Sequence, residues 1–435
     1  MTLDRTIQPP IKPIEAIVIP RAEQQLLPNG IPFYSINIGE EEVVRIDCMF
    51  RAGIHDQSYP LVASFTNQML KEGTTGKSAV CIAERLDFYG SWLHLSCTHH
   101  YSYITLYSLN KYLPHTISLL GDILLHATFP EKEFQIYRNT RKHQFLIEYE
   151  KVQYLAHKNF QTLLYGTNHP YGKSANLSDF DDLKRDWLKE FYTHYYTLSN
   201  CSIIASGKVD NSTMVCIKDT LGQLQQKHSV PVIRKPEFNI EPSDQRKLLI
   251  EKADSIQSAI RIGRPMFNRK HPDYHSFRIL NTALGGYFGS RLMSNIREEK
   301  GYTYGIQSSI TTHLDTGHFH ISTQTGTEFV EPLIHEVYHE MERLCTKPIP
   351  DEELEMVKGY MLGEHIRMFD GGFALADTFI SLLANELDYS FYEKNVETIC
   401  SITPQQIQHL AANYFQPEAF YEVIAGQINK KVNRL

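Results

Sequence analysis

The hydrophobic positions along the chain follow two different spacings. Leu113, Ile117 and Leu120 recur at intervals of three or four residues, which places them on one face of a helix. From Tyr302 the interval becomes two residues, so a strand is expected to begin there. The same criteria predict strands at 31–38 and 41–50 and one long helical segment at 134–166. The pattern therefore indicates a protein of mixed helices and strands.

The second half of the chain repeats the pattern of the first. The aromatic pair at 195–196 aligns with the pair at 414–415. The residues that follow match without a gap, so that Gly207 falls on Gly426 at a constant offset of 219 residues. We therefore predict an α+β fold of two homologous repeats, each a mostly antiparallel sheet covered by helices.

A polar segment that contains prolines separates the two repeats. Residues 223–245 show no apolar period, which is typical of a linker. The expected division is an N-terminal domain at 15–222 and a C-terminal domain at 246–432. Units of roughly 200 residues agree with the usual sizes of domains.

Composition and charge exclude several classes of function. The chain has 435 residues, 42% of them hydrophobic, and a formal net charge of -7. We expect no nucleic-acid binding because no basic cluster stands out, and no membrane span because no window of about eighteen apolar residues occurs. The first residues do not resemble a secretory signal. Seven scattered cysteines without a Cys-x-x-Cys pair favour reduced thiols in a cytoplasmic protein.

The segment 285–305, GGYFGSRLMSNIREEKGYTYG, contains the main candidate site. Its pattern predicts a helix at 291–300 followed by the strand from Tyr302. Arg297 then lies in the last helical turn and Tyr304 at the start of the strand. Such a corner can direct two hydrogen-bond donors at one developing oxyanion. The alternative is that Arg297 pairs with a neighbouring glutamate and Tyr304 belongs to the core.

The stretch SRLMSNIREEKGYTYGI resembles the signature in the second half of the M16 zinc-peptidase family, which includes pitrilysin, insulinase and the mitochondrial processing peptidase. In that family an Arg and a Tyr at this seven-residue separation contact the substrate near the scissile bond. The resemblance gives these catalytic roles to Arg297 and Tyr304. It also implies the LuxS/MPP-like metallohydrolase fold over essentially the whole chain.

The zinc motif of that family is degenerate in this sequence. The motif is an inverted His-x-x-Glu-His, in which two histidines bind zinc and the glutamate activates water. Aligned on the residues that follow it, the motif falls on Ser64, Asn67 and Gln68. A hydroxyl and two amides are weak zinc ligands, and Asn67 cannot accept a proton as a base. We therefore expect no metal and no other cofactor in this chain.

The resemblance also implies a partner. Members of the family that form dimers of two unlike chains divide their duties, one chain carrying zinc and the other carrying the Arg-Tyr pair. The leading hypothesis is a non-zinc subunit of the M16B type, inactive alone, that degrades peptides as a heterodimer with a zinc-containing M16 homologue. The alternative is a catalytically inactive structural or peptide-binding scaffold of the same fold.

A third possibility rests on the sequence HEVYH at 335–339, which spells the motif of ordinary zincins. The helical period turns Leu333 and Val337 inward. His335 and His339 then face solvent. We therefore expect an ordinary packing helix here, whereas a self-sufficient enzyme would need zinc at these two histidines.

Overall fold

The computed structural model describes residues 18–225 and 238–427, together with Thr6. Residues 226–237 of the predicted linker and the predicted end of the C-terminal domain at 432 lie outside the described residues.

The strands of the described residues form two separate sheets. The first sheet contains β1 (Glu23–Leu26), β2 (Pro32–Asn37), β3 (Val43–Phe50), β4 (Trp92–Cys97), β5 (Ser102–Leu109) and β6 (Cys201–Gly207). The second sheet contains β7 (Lys247–Glu251), β8 (Gln257–Met266), β9 (Thr303–Thr312), β10 (Gly317–Gly326) and β11 (Tyr421–Gly426).

Both sheets have the same strand order, apart from the additional strand β1. The first runs β1-β2-β6-β3-β5-β4 and the second runs β7-β11-β8-β10-β9. The pairs β2–β6 and β7–β11 are parallel, and the remaining pairs are antiparallel. This confirms the prediction of an α+β fold with two repeats.

The strands predicted at 31–38 and 41–50 are present as β2 and β3, but they are not neighbours. The closing strand β6 lies between them. Six of its seven residues are buried, which explains why this strand takes a central place in the sheet. The position of β6 between β2 and β3 could not be predicted from the order of the strands along the chain.

Helices cover both sheets. The first half contains α1 (Val62–Met69), α2 (Ala79–Phe88), α3 (Leu113–His126), α4 (Glu131–Tyr149), α5 (Val152–Tyr165), α6 (Leu177–Asp182), α7 (Arg185–Tyr195) and α8 (Asn211–Thr220). The second half contains α9 (Tyr274–Asn281), α10 (Val330–Thr346), α11 (Asp351–Arg367), α12 (Gly372–Ala384), α13 (Ser390–Ser401) and α14 (Pro404–Tyr414). In the described ranges, none of the helices combines the length and the apolar character that a membrane crossing requires.

The helix α5 belongs to the first half of the chain but packs on the second sheet. Its residues Phe160 and Leu164 are fully buried in a cluster that includes Val423 of β11. The segment predicted as one helix at 134–166 is therefore interrupted between Tyr149 and Val152. The interruption allows α4 to stay against α6 of its own half while α5 reaches the other sheet.

The helix α12 makes the reciprocal contact on the first sheet. Leu375 packs with Ile204 of β6, and Gly371, with a φ of 90°, separates α11 from α12. Arg45 of β3 lies 2.7 Å from the carboxylate of Asp377 on α12. Each half therefore contributes one helix to the sheet of the other half, and the two halves share buried surface.

Histidines cluster where α5 meets the second sheet. The rings of His318 and His320 lie 5.2 Å apart on β10, and only 1% and 9% of their surfaces are exposed. Burial holds the pKa of His318 well below its usual value and lowers the pKa of His320 to about 3, and Arg261 strengthens both effects. Both imidazoles are therefore neutral in the folded chain at neutral pH.

We expect the chain to lose stability on mild acidification. Unfolded histidines bind a proton near pH 6.5, whereas buried His318 and His320 do so only at much lower pH. Stability that is fully present above about pH 6.5 is then lost as the pH falls toward the folded pKa, by up to about 1.4 kcal/mol per pH unit for each histidine. His320→Gln should reduce the slope of unfolding free energy against pH by about that amount between about pH 6.5 and 4.

Chemical denaturation at a series of pH values measures this slope. His335→Gln, at a position that is 80% exposed, is the matched control variant. An unchanged slope in His320→Gln would contradict the assignment of a buried neutral imidazole.

Candidate functional site

The predicted corner between helix and strand is present in the segment 285–305. A helical stretch that includes the π-helical turn Met293–Glu299 precedes β9. Ile296 anchors this turn in the core of the second half. Gly301, with a φ of 65°, reverses the chain between the turn and the strand, a conformation that favours glycine. Single π-helical turns of this kind occur frequently at functional sites.

The corner brings Arg297 and Tyr304 together. The Cζ atom of Arg297 lies 5.7 Å from the centroid of the Tyr304 ring and 4.7 Å from the centroid of the Phe288 ring. Tyr304 is 92% exposed and Phe288 is 63% exposed. Guanidinium groups bind aromatic faces at such distances, so two exposed rings hold the Arg297 side chain.

The alternative, in which Arg297 pairs with a glutamate and Tyr304 belongs to the core, does not occur in the described part of the chain. No carboxylate there lies within the 4.0 Å of the Arg297 guanidinium that defines an ion pair. The exposure of Tyr304 excludes a core position for its ring. Both side chains therefore present hydrogen-bond donors to solvent.

Tyr304 lies at the rim of an open cleft of about 930 Å³. Residues of β8, β9 and β10 line the cleft together with Gln153 and Ala156 of α5. Both halves of the chain therefore contribute to it. Of the described residues that line the cleft, Arg261 carries a formal charge and none is acidic.

The strand β9 forms an outer edge of the second sheet beside this cleft. The edge of a sheet presents backbone N–H and C=O groups that an extended peptide can pair with. A register irregularity between Thr323 and Thr325 of β10 lies opposite the start of β9. There the hydroxyl groups of Thr303 and Thr323 form a hydrogen bond of 2.9 Å, which fixes β9 next to Tyr304.

The degenerate zinc positions Ser64, Asn67 and Gln68 lie on α1, where all three side chains bind backbone carbonyls. Asn67 is fully buried. The hydrogen bonds run from Ser64 Oγ to Leu61 O (3.1 Å), from Asn67 Nδ2 to Tyr103 O (3.2 Å) and from Gln68 Nε2 to Leu95 O (2.5 Å). Neutral donors engaged in this way do not fit a zinc ion, which needs anionic or imidazole ligands.

In residues 18–225 and 238–427, no group of three or more His, Cys, Asp or Glu side chains could hold a metal ion. The HEVYH sequence lies on α10 with Leu333 and Val337 buried and with His335 80% exposed. Its glutamate, Glu336, binds Lys300 at 2.8 Å. This glutamate therefore connects α10 to the segment 291–300.

Two residues that line the cleft were not predicted from the sequence. Phe288 lies inside the segment 285–305, and its place between glycines, at an exposed corner, could have drawn attention to it. Arg261 lies on a separate strand, and no local motif distinguishes it. Its position in the cleft follows only from the way α5 and β8 come together.

Comparison with known proteins gives a consistent result. Residues 182–361 match the family described as Peptidase M16 inactive domain. The chain is 25% identical over 307 residues to the uncharacterized zinc protease YmxG of Bacillus subtilis, which covers 69% of this chain and 73% of the relative. It is also 25% identical over 329 residues to the non-peptidase homolog YmxG of Helicobacter pylori, which covers 73% of this chain and 74% of the relative.

The fold is similar to the crystal structure of a peptidase M16 inactive domain from Pseudomonas fluorescens. The TM-score is 0.81 at 23% sequence identity, over 94% of this chain and 98% of that chain. Residues 182–361 of this chain therefore match the Peptidase M16 inactive domain, and the chain as a whole shares the fold of a solved structure of that domain.

Proposed function

We propose that this chain is the non-zinc subunit, of the M16B type, in a peptide-degrading heterodimer. A zinc-containing M16 homologue would supply the metal, and this chain would bind and orient the peptide. The observation that carries the proposal is the pairing of half-buried Arg297 with exposed Tyr304, which lies at the rim of the cleft. The hydrogen-bonded Ser64, Asn67 and Gln68 support the division of duties, because they do not fit zinc.

The peptide would lie in extended form along the edge of β9 and pair with its backbone groups. Arg297 and Tyr304 would then donate hydrogen bonds to the oxygen of the scissile carbonyl, where negative charge develops during the reaction. Neither donor has to give up an ion pair with a described carboxylate before it reaches the substrate.

We propose two domains, 15–222 and 246–432, that are joined by the segment 223–245. Their equivalent sheets support this division. We also propose a cytoplasmic location. All seven cysteines are free thiols, which suits a reducing compartment.

A catalytically inactive scaffold of the same fold is the second candidate. The Helicobacter pylori relative is named a non-peptidase homolog, which favours this function by analogy. The cleft and the edge of β9 could bind a peptide without cleaving it.

The proposed heterodimer predicts that this chain co-purifies, in equal amounts, with a like-sized homologue that has an intact His-x-x-Glu-His motif. Co-expression of the two chains followed by size-exclusion chromatography and mass measurement tests the pairing. The mixture should hydrolyse unstructured peptides. A stable complex that binds peptides without hydrolysing them would favour the scaffold, and two chains that elute separately would contradict the pairing.

A further inference from the structure

Alternate residues of β8 face opposite sides of the second sheet. Ile260 and Ile262 lie in the core between the sheet and the helices of its own half. Ala259 lies in the cluster formed with α5. Arg261 lies on the same face of β8 as Ala259. Its side chain therefore lies at the interface between the sheet and α5, where it lines the cleft.

The guanidinium of Arg261 has no counter-ion among the described residues. No carboxylate of those residues lies within 4.0 Å of it, and none of their side chains or carbonyls forms a hydrogen bond with it. Burial alone accounts for the lowered pKa of Arg261. A guanidinium still keeps its proton at neutral pH, so this is a partly buried positive charge without an internal partner.

The titratable groups near Arg261 do not neutralise it. They are imidazoles, including His318 and His320, and the positive charge of Arg261 helps to keep them neutral. No acidic side chain is among the described residues that line the cleft. In a chain with a net charge of -7, this local excess of positive charge is unexpected.

Other partly buried arginines of this chain have partners. Arg45 binds the carboxylates of Asp47 and Asp377 at 2.8 and 2.7 Å. Arg291 forms two hydrogen bonds with Glu353, at 2.8 and 2.9 Å. A partly buried charge without a partner is costly, and such groups commonly mark places where a ligand of opposite charge binds.

We propose that Arg261 is the carboxylate-binding residue of the cleft, and that the cleft selects peptides that present a carboxylate to it. The carboxylate belongs either to an Asp or Glu side chain or to the free C-terminus of the peptide. A guanidinium binds both through the same paired N–H donors. This inference rests on the proposed function, because it defines the class of peptide that the site takes.

Fluorescence anisotropy of labelled peptides on the full chain, without the partner, tests the inference independently of hydrolysis. One series compares a peptide that contains Glu with its Gln version, and another compares a free with an amidated C-terminus. At least one carboxylate form should bind about tenfold tighter than its neutral version, since hydrogen bonds to charged groups have this effect. The series that shows the difference identifies the source of the carboxylate.

Arg261→Gln should abolish this preference, and Arg261→Lys should retain part of it. The control is Arg141→Gln, an exposed arginine on α4 that contacts Gln144. Arg261→Gln should also leave the Tm of the unliganded chain unchanged or raise it, because it removes an unpaired charge. A structural arginine would instead lower the Tm.

The outcomes separate the two proposals. If peptides bind but charged and neutral forms bind equally, or if Arg261→Gln keeps the preference, the role of Arg261 is overturned while the peptide-binding function stands. If no peptide of either series binds, the peptide cleft itself is rejected, and the role of Arg261 with it.

Discussion

Tyr304→Phe is expected to lower the kcat of the proposed heterodimer about a hundredfold, because removal of one oxyanion donor costs on the order of 3 kcal/mol in the transition state. The substitution keeps the aromatic ring that lies 5.7 Å from the Arg297 guanidinium carbon, and it removes only the hydroxyl donor. The affinity for the peptide should change little, since the donor acts where charge develops in the reaction. Steady-state kinetics of the two co-expressed chains on an unstructured peptide measure both quantities.

Tyr302→Phe is the matched control for this prediction. Its ring stacks on Phe329 with centroids 5.2 Å apart, and Tyr302 is not among the residues that line the cleft. Turnover should therefore be close to that of the unaltered heterodimer. Unchanged turnover in Tyr304→Phe would reject the catalytic role of Tyr304, and an equal loss in both variants would point to a structural effect instead.

Phe160→Ala is expected to give the largest loss of stability, about 3–5 kcal/mol of unfolding free energy. Phe160 is fully buried at the place where α5 packs on the second sheet, beside the rings of His318 and His320. Removal of its ring leaves a cavity between the two halves that the surrounding strands cannot fill by small shifts. Urea denaturation followed by circular dichroism measures the change.

Phe88→Ala tests whether this loss comes from burial. Phe88 is a phenylalanine at the end of α2 that is 79% exposed, so its truncation should change the unfolding free energy by about 0.5 kcal/mol or less. Equal effects of the two substitutions would contradict the contact between α5 and the second sheet.

The repeat and the corner at 285–305 were predictable because both depend on local sequence. Gly207 and Gly426, which the repeat aligns, end β6 and β11, and these two strands lie at equivalent positions in their sheets. Arg297 and Tyr304 are seven residues apart, so a short helix, a glycine and a strand suffice to bring them together. No distant part of the chain was needed for that prediction.

The exchange of helices between the halves could not be predicted from the period of the sequence. Hydrophobic spacing shows that one face of α5 is buried, but it does not show which sheet covers that face. For the same reason, the role of Arg261 could not be predicted from the sequence. Its lack of a counter-ion depends on which side chains line the cleft beside it, and these come from both halves of the chain.

We propose that this chain has no zinc chemistry of its own and contributes substrate-binding residues to the active site of a zinc-containing partner. Zinc content and peptide hydrolysis, measured on the purified chain alone and after addition of the zinc-containing homologue, test this proposal. We predict no stoichiometric zinc and no hydrolysis for the chain alone, and hydrolysis that appears with the homologue. Tightly bound zinc together with hydrolysis by the lone chain would contradict the proposal.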